Sequence, residues 1–337
     1  GGIHHYSLFL TLYSLSMQTR TLGYTGIELT TVGLGTWAIG GGGWKFGWGP
    51  QDDSQSVATI QRALDLGINW IDTARIYGLG HSESVVGEAI RGRDVFVATK
   101  CGRQWHDDGT IYSDLREETV RKECESSLRR LGRDVIDLYQ IHWPNPESDI
   151  EEGWSAVAHL IEEGKVRFGG VCNFSIEQIE RIRKIHPVAS LQPPYSMLRR
   201  DVEVGLLDYC ARHDIGIVAY SPMLSGLLTG KYTEKTTRDL PEEDWRKRSP
   251  HFLEPELSIN AAFVEKLKSL AEKCGLSLPQ LAIAWVLRRP EVTSAIVGAR
   301  RPEQIEETSR AGDVRLSEDD LGEIERLLRG REKAIAG

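Results

Sequence analysis

Four side chains in the sequence are of types that together could deliver a proton to a carbonyl oxygen: Asp72, Tyr77, Lys100 and His142. A free phenol has a pKa of about 10, so Tyr77 alone would give up its proton poorly at neutral pH. An ammonium beside it favours the phenolate and lowers that pKa towards the working range. Asp72 is suited to keeping Lys100 charged and aimed, because a buried ammonium without a partner is costly. His142 could donate or accept a hydrogen bond at the substrate oxygen and orient it against Tyr77. Each residue alone carries little weight. A lone Asp at a strand end usually caps a turn, and a lone Lys there usually joins a surface ion pair. Their joint placement has to carry the argument.

That placement follows from the elements around them. From residue 31 onward, short apolar runs alternate with helical patterns. "TTVGLGT", "NWIDTA", "DVFVATK", "VIDLYQIH", "VRFGGVCN", "ASLQP", "GIVAYS" and "TSAIVGA" read as eight strands. Helices between them are marked by 3.6-residue periodicity, by capping boxes at Ser148-x-x-Glu151 and Ser175-x-x-Gln178, and by Pro302 near the start of the last. Strands that are apolar throughout and joined by helices imply a parallel sheet covered on both faces. Eight such units close into a (β/α)8 TIM barrel, one domain over residues 17–337. A short hairpin around Tyr24-Thr25-Gly26 precedes it, a long excursion follows the seventh strand, and an extra helix starts near Ser317. In such a barrel the C-terminal strand ends hold the chemistry. Asp72, Lys100 and His142 end the second, third and fourth strands, and Tyr77 lies in the loop after Asp72, so all four face one rim.

The rest of the sequence narrows the function classes. The chain has 337 residues, 40% of them hydrophobic, and a net charge of -8 without a long basic run, which argues against nucleic acid and anionic membranes. Five cysteines, odd in number and without a CxxC, fit free thiols in a reducing, cytoplasmic setting. Residues 1–16 differ in character from the text that starts at Met17 and read as a leader foreign to the protein. No His/Asp ligand cluster stands at the strand ends, so no metal is expected, and paired rim carboxylates for a glycosidase are lacking. "GLGTWA" fits a dinucleotide fingerprint, but the Gly-rich text after it cannot form the helix that such a turn must open.

"WIDTARIYGLGHSE", "VFVATKCG", "LYQIHWP", "GVCNFS", "LQPPYS", "AYSPMLSGLLTGKY" and "AIVGARRPEQIEE" together strongly resemble the aldo-keto reductases, from about residue 19 to residue 330, with most likeness to the bacterial general-stress and inositol-utilisation branch. The resemblance implies a (β/α)8 barrel, bound NADP(H), reversible interconversion of carbonyl and alcohol in a small-molecule substrate, and a monomer. Its catalytic tetrad falls on Asp72, Tyr77, Lys100 and His142, with Tyr77 as general acid. Thr36 and Trp37 would touch the nicotinamide ribose region, and Cys172, Asn173 and Gln192 would lie at the carboxamide. Cys172 departs from the serine that relatives commonly carry there. Tyr220 would stack on the nicotinamide. Ser221, Pro222, Met223, Leu224, Ser225 and Gly226 would cover the pyrophosphate, with Lys231 adding charge. Gly298, Arg300, Gln304 and Glu307 would grip the adenosine half at a helix N-terminus. Trp37 and Trp143, among five rim tryptophans with Trp44, Trp48 and Trp105, would join Tyr77 and His142 in an apolar substrate pocket. Residues 232–258 read either as a flap over the cofactor or as a solvated loop. The competing reading is a non-catalytic, cofactor-sensing regulatory protein of the same fold. In such members the histidine of the fourth strand is replaced, whereas His142 is present.

Overall fold

Apolar strands such as "FVATKC" and "IDLYQI" have no polar face to offer water, so both of their faces must be covered. In the computed structural model, which describes residues 17–336, closing the sheet on itself and ringing it with helices does this. The expected leader at 1–16 lies outside the described residues. The chain opens with the antiparallel hairpin β1 (Thr19–Thr21) and β2 (Glu28–Thr30). It then runs β3 (Val32–Gly35), α1 (Asp53–Asp65), β4 (Trp70–Asp72), α2 (His81–Ala89) and β5 (Phe96–Cys101). A second hairpin follows, β6 (Arg103–Trp105) and β7 (Ile111–Ser113), then α3 (Glu117–Leu131), β8 (Ile136–Ile141), α4 (Ile150–Glu162), β9 (Val166–Cys172), α5 (Ile176–Ile182), β10 (Ser190–Gln192), α6 (Leu206–Arg212) and β11 (Gly216–Ala219). After the excursion with α7 (Glu234–Arg238), α8 (Glu256–Lys273) and α9 (Leu278–Leu287) come β12 (Val292–Gly298), α10 (Pro302–Ser309) and α11 (Glu318–Ala336). The barrel closes in the order β3-β4-β5-β8-β9-β10-β11-β12, every neighbouring pair parallel. The expected eight-strand barrel is therefore present.

The first hairpin plugs the barrel's lower end. Leu22 and Leu29 are buried against Trp70, Phe96, Leu138, Val218 and Ile296. Full burial of such a side chain contributes about 1.5–3 kcal/mol. At the turn, a Cβ on Gly23 would meet the carbonyl oxygen of Asp214 at 2.4 Å, so glycine alone fits that approach.

Local signals held unevenly. Ser175 and Gln178 form the expected capping box at α5. The box expected at Ser148 and Glu151 is not made. Ser148 lies in a 3-10 turn, its hydroxyl donates to Asp149 Oδ1 at 2.5 Å, and α4 starts one residue later with Asp149 at its N-cap. A nearer acceptor simply captured the hydroxyl. The excursion after β11 is more structured than its charged text suggested. Beyond α7 it folds back over the barrel mouth, burying Asp244 and Arg246 and stacking Trp245 on Trp37 at 5.2 Å with the rings 21° apart. Among the described residues, no helix is long and apolar enough to cross a membrane, and no group of three His, Cys, Asp or Glu side chains is placed to hold a metal ion.

Candidate active site

The C-terminal ends of the eight strands open into a cavity of about 470 Å³. Lys100 anchors one side of it. Its ammonium donates to Asp72 Oδ2 at 2.6 Å, to the Thr73 carbonyl at 2.9 Å and to the Tyr77 hydroxyl at 3.3 Å, and sits 5.0 Å from the Tyr77 ring centroid. Both members of the Lys100–Asp72 pair are buried. The carboxylate's other oxygen accepts from Gln192 Nε2 at 2.8 Å and Gln140 Nε2 at 3.4 Å. Such full satisfaction is what a buried ion pair requires. The His142 ring meets the Tyr77 ring edge to face, 5.9 Å between centroids. The phenol reaches this place through a tight turn in which the Tyr77 amide donates to the Ala74 carbonyl at 3.0 Å. Behind the turn, a Cβ on Gly78 would lie 2.2 Å from the carbonyl oxygen of Gly40, so the two loops can press together only at glycine.

Electrostatics in the site differ from the expectation in one respect. Burial pushes the Tyr77 phenol above its ordinary value, and the lowering by the Lys100 ammonium is the smaller effect. The phenol thus stands protonated at neutral pH instead of near the working range. For Lys100, burial acts to lower the ammonium, but Asp72 and Tyr77 outweigh it and the net direction is up. His142 is driven well below the usual imidazole range by burial first, then by Lys100 and Arg103. At neutral pH it is a neutral ring with one donor and one acceptor nitrogen. A protonated phenol beside a neutral imidazole can hydrogen-bond one oxygen from two sides.

Most of the residues expected at the cofactor line the same cavity. Thr36, Trp37, Asp72, Asn173, Gln192, Tyr220, Ser221, Pro222, Met223, Ser225, Gly226, Lys231, Gly298, Arg300 and Gln304 all do. Tyr220 donates from its hydroxyl to Asn173 Oδ1 at 3.0 Å, fixing the amide, whose nitrogen donates to the His142 carbonyl at 3.2 Å. Asn173, directly after β9, and Ser221, two residues after β11, both adopt positive φ, 63° and 56°. Strained backbone of this kind clusters at ligand sites. Arg300 reaches from the start of α10 to Gln51 Oε1 at 2.6 Å and to the carbonyls of Trp48 and Pro50, all neutral acceptors. Three expected contacts are not in the cavity wall. Cys172 is buried beneath it with its thiol 3.7 Å from Gln140 Oε1, because it points to the barrel interior instead of the mouth. Leu224 packs into an apolar cluster with Leu227, Phe252 and Leu257, the natural place for its side chain. Glu307 is exposed on α10, beyond the turn that faces the cavity. Gln192 lines the wall, but its amide nitrogen is engaged by Asp72.

On the opposite side, Trp37, Trp44, Trp48, Tyr77, His142 and Trp143 line the cavity, whereas Trp105 lies outside it with the Arg75 guanidinium 4.0 Å from its ring centroid. Several lining residues escaped the sequence reading: Arg103 and Ile111 from the second hairpin, and Tyr232 and Arg246 from the excursion. Arg246 is buried, paired with Asp244 at 2.5 Å and set 4.3 Å from the Trp48 ring centroid. Tyr232 and Arg246 lie in the 232–258 stretch, of which one reading was a flap; Arg103 and Ile111 offered no signal, whereas Gln140, behind the wall, offered one as a polar residue inside the buried strand "IDLYQI".

Comparison with known proteins fits this geometry. The Aldo/keto reductase family profile matches residues 31–329. The chain is 39% identical over 317 residues to Aldo-keto reductase YhdN of Bacillus subtilis, covering 93% of this chain and 94% of that one. It is 35% identical to the NADH-specific methylglyoxal reductase of Escherichia coli, over 90% of this chain and 96% of the relative. Among solved structures, the glycerol dehydrogenase AKR11B4 from Gluconobacter oxydans superposes with a TM-score of 0.83 at 38% identity, covering 93% of this chain and 95% of that one. The chain belongs to the aldo/keto reductase family, proteins that interconvert carbonyl compounds and alcohols with a nicotinamide cofactor.

Proposed function

We propose that the protein reduces aldehydes and ketones to alcohols with NADPH, using Tyr77 as the general acid. The observation that carries this reading is the buried ammonium of Lys100 held between Asp72 at 2.6 Å and the Tyr77 hydroxyl at 3.3 Å, two residues that line the cavity. When bound, the dihydronicotinamide supplies the hydride. Asn173 and Tyr220 would hold the ring end, the turn from Ser221 to Gly226 would carry the phosphates, and Lys231, Arg300 and Gln304 would take the adenosine half. His142, neutral, receives the carbonyl oxygen and orients it against Tyr77. As negative charge gathers on that oxygen, the phenol donates its proton and Lys100 stabilises the phenolate left behind. Asp72 keeps Lys100 in place, and Gln192 and Gln140 keep Asp72 in place. Trp37 and Trp143 shape an apolar mouth for the substrate.

Preference for NADPH over NADH rests on Arg300, whose guanidinium is held by neutral oxygens and forms no ion pair among the described residues. A 2'-phosphate offers it the missing charge, and a ribose hydroxyl does not. One relative is described as NADH-specific, so this choice belongs to the residues of this chain. The reading includes a cytoplasmic monomer; Cys101, Cys124, Cys172 and Cys210 are free and buried, as suits a reducing compartment. Replacing the acid is the decisive experiment. Tyr77→Phe is expected to lower kcat by about a hundred- to ten-thousandfold while leaving NADPH affinity nearly unchanged. Aldehyde reduction by that variant at the parental rate would exclude Tyr77 as the acid, and absence of turnover in the parent would favour a cofactor-sensing role.

A further inference from the structure

Four cationic side chains reach the cavity wall: Arg103, Lys231, Arg246 and Arg300. Arg246 is neutralised by Asp244, and Lys231 and Arg300 stand on the cofactor side. Arg103 is different. It opens the hairpin after β5, and in the closed barrel β5 lies opposite β11, whose following turn is the phosphate-carrying one. Arg103 therefore stands between the loops that bear Tyr77 and His142, across the mouth from the phosphates.

Its surroundings leave the charge unmet. One N–H donates to Ser113 Oγ at 2.9 Å, and the guanidinium carbon lies 5.7 Å from the Trp143 ring centroid. Among the described residues no carboxylate forms an ion pair with it. A guanidinium has five donors in a planar fork, so most remain available to a ligand. The arginine is also firmly seated. Arg75 donates to the Arg103 carbonyl and to Gln104 Oε1, both at 3.2 Å, and pairs with Glu123 at 3.4 Å. Ser113 is held in turn by Asn145 at 3.1 Å. Burial alone acts on this guanidinium, in the direction that lowers its affinity for the proton.

We propose that Arg103 is a specificity-determining residue that selects carbonyl substrates carrying an oxyanionic group, a carboxylate or a phosphate, on the side of the carbonyl away from the cofactor. This rests on the carbonyl-reduction reading above. With the carbonyl oxygen between Tyr77 and His142, an anionic tail pointing to the β6–β7 hairpin meets the fork of Arg103 and makes paired charge-assisted hydrogen bonds. The exposed Trp143 ring lies beside the guanidinium, 5.7 Å from its carbon. The chain as a whole carries a net charge of -8, so this local cation is what would admit an anion against the overall field.

The experiment compares matched probes with the full-length protein. Succinic semialdehyde and para-carboxybenzaldehyde are each measured against their methyl esters, and glyceraldehyde phosphate against glyceraldehyde. The parent is expected to favour an anionic member over its neutral partner by about tenfold or more in kcat/KM, through KM. Arg103→Gln, which can still reach Ser113, is expected to bring that ratio towards unity, and Arg103→Lys to restore part of it. The carboxylate and phosphate arms tell which oxyanion is preferred. A parental ratio near one in every arm, or a ratio that survives in Arg103→Gln, overturns the proposal while leaving carbonyl reduction intact. Failure of the parent to reduce any probe with NADPH or NADH overturns the carbonyl-reduction reading, and this inference with it.

Discussion

Lys100 acts on three neighbours at once, and that makes it the most informative single residue to change. Its ammonium neutralises Asp72, lowers the Tyr77 phenol against the upward push of burial, and lowers His142. Lys100→Met removes all three effects. Asp72 is left as a buried carboxylate without its cation, which destabilises the fold by about 3–5 kcal/mol, although Gln192 and Gln140 still donate to it. The phenol, freed of the ammonium, moves further up, so it becomes a weaker acid. Reduction should slow at least a hundredfold, roughly the weight of a general acid, and the alkaline fall in kcat/KM should move to higher pH. The direction follows because, with Tyr77 as the proposed acid, the protonated phenol is the active form and persists longer. A pH profile of the residual activity checks this; an alkaline limb in the same place as the parent's would mean the ammonium does not act on Tyr77. The sequence made these four residues legible through strand ends. It did not make legible that burial outweighs the lysine, since desolvation depends on everything packed around the ring.

The elements that frame the site hold their own ionisable groups, and Glu123 on α3 is the clearest. Its carboxylate accepts from the Gly102 amide at 2.7 Å and meets Arg75 at 3.4 Å, tying α3 to the end of β5 and to the hairpin that carries Arg103. Burial raises this group from 4.5 to about 8, against the lowering by Gly102 and Arg75. An acid raised on folding keeps its proton in the native state while the unfolded chain has already lost it. The unfolded state therefore gains by ionising, and native stability falls as pH rises from about 5 to about 8, by up to about 1.4 kcal/mol per unit. Above that window the loss levels off. Glu123→Gln lacks the titration, so its stability relative to the parent should improve between about pH 5.5 and about pH 8. Urea unfolding at both values measures it, and a difference independent of pH would refute the assignment. Element existence was readable here from the 3.6-residue repeat of Val120, Cys124, Leu128 and Leu131, of which Val120, Cys124 and Leu131 are buried and Leu128 is half-buried against the core. The β6–β7 hairpin was not readable, because "RQWHDDGTIYS" is too polar and short to stand out as paired strands.

At the scale of the whole molecule, the cavity is assembled from loops after strands on every side of the barrel, together with the fold-back of the excursion. A cofactor lying across it would join segments far apart in sequence, Arg300 with Trp48, Pro50 and Gln51 among them. Binding to the native state alone adds stability of about 2.7 kcal/mol at a hundredfold excess over Kd. NADPH is therefore expected to raise the thermal midpoint more than equimolar NADH, and Arg300→Ala to narrow that gap chiefly by weakening NADPH. Calorimetry with both cofactors tests the point. Equal shifts in the parent would remove Arg300 as the basis of cofactor choice.

The sequence by itself determined the barrel and the placing of Asp72, Tyr77, Lys100 and His142 on one rim of it, where we propose that the chemistry sits. Uniformly apolar strands, helix periods and the residues at strand ends are local properties, each legible within a short window. Only the tertiary structure decided that Cys172 and Leu224 point away from the cavity, that Gln192 and Gln140 serve Asp72, and that Trp245 closes over Trp37. It also decided that Arg103 stands opposite the turn that follows β11, with no carboxylate paired to it among the described residues. These are matters of which side chains approach across large sequence separations, and of how much water is excluded when they do. No single stretch of the chain contains that information.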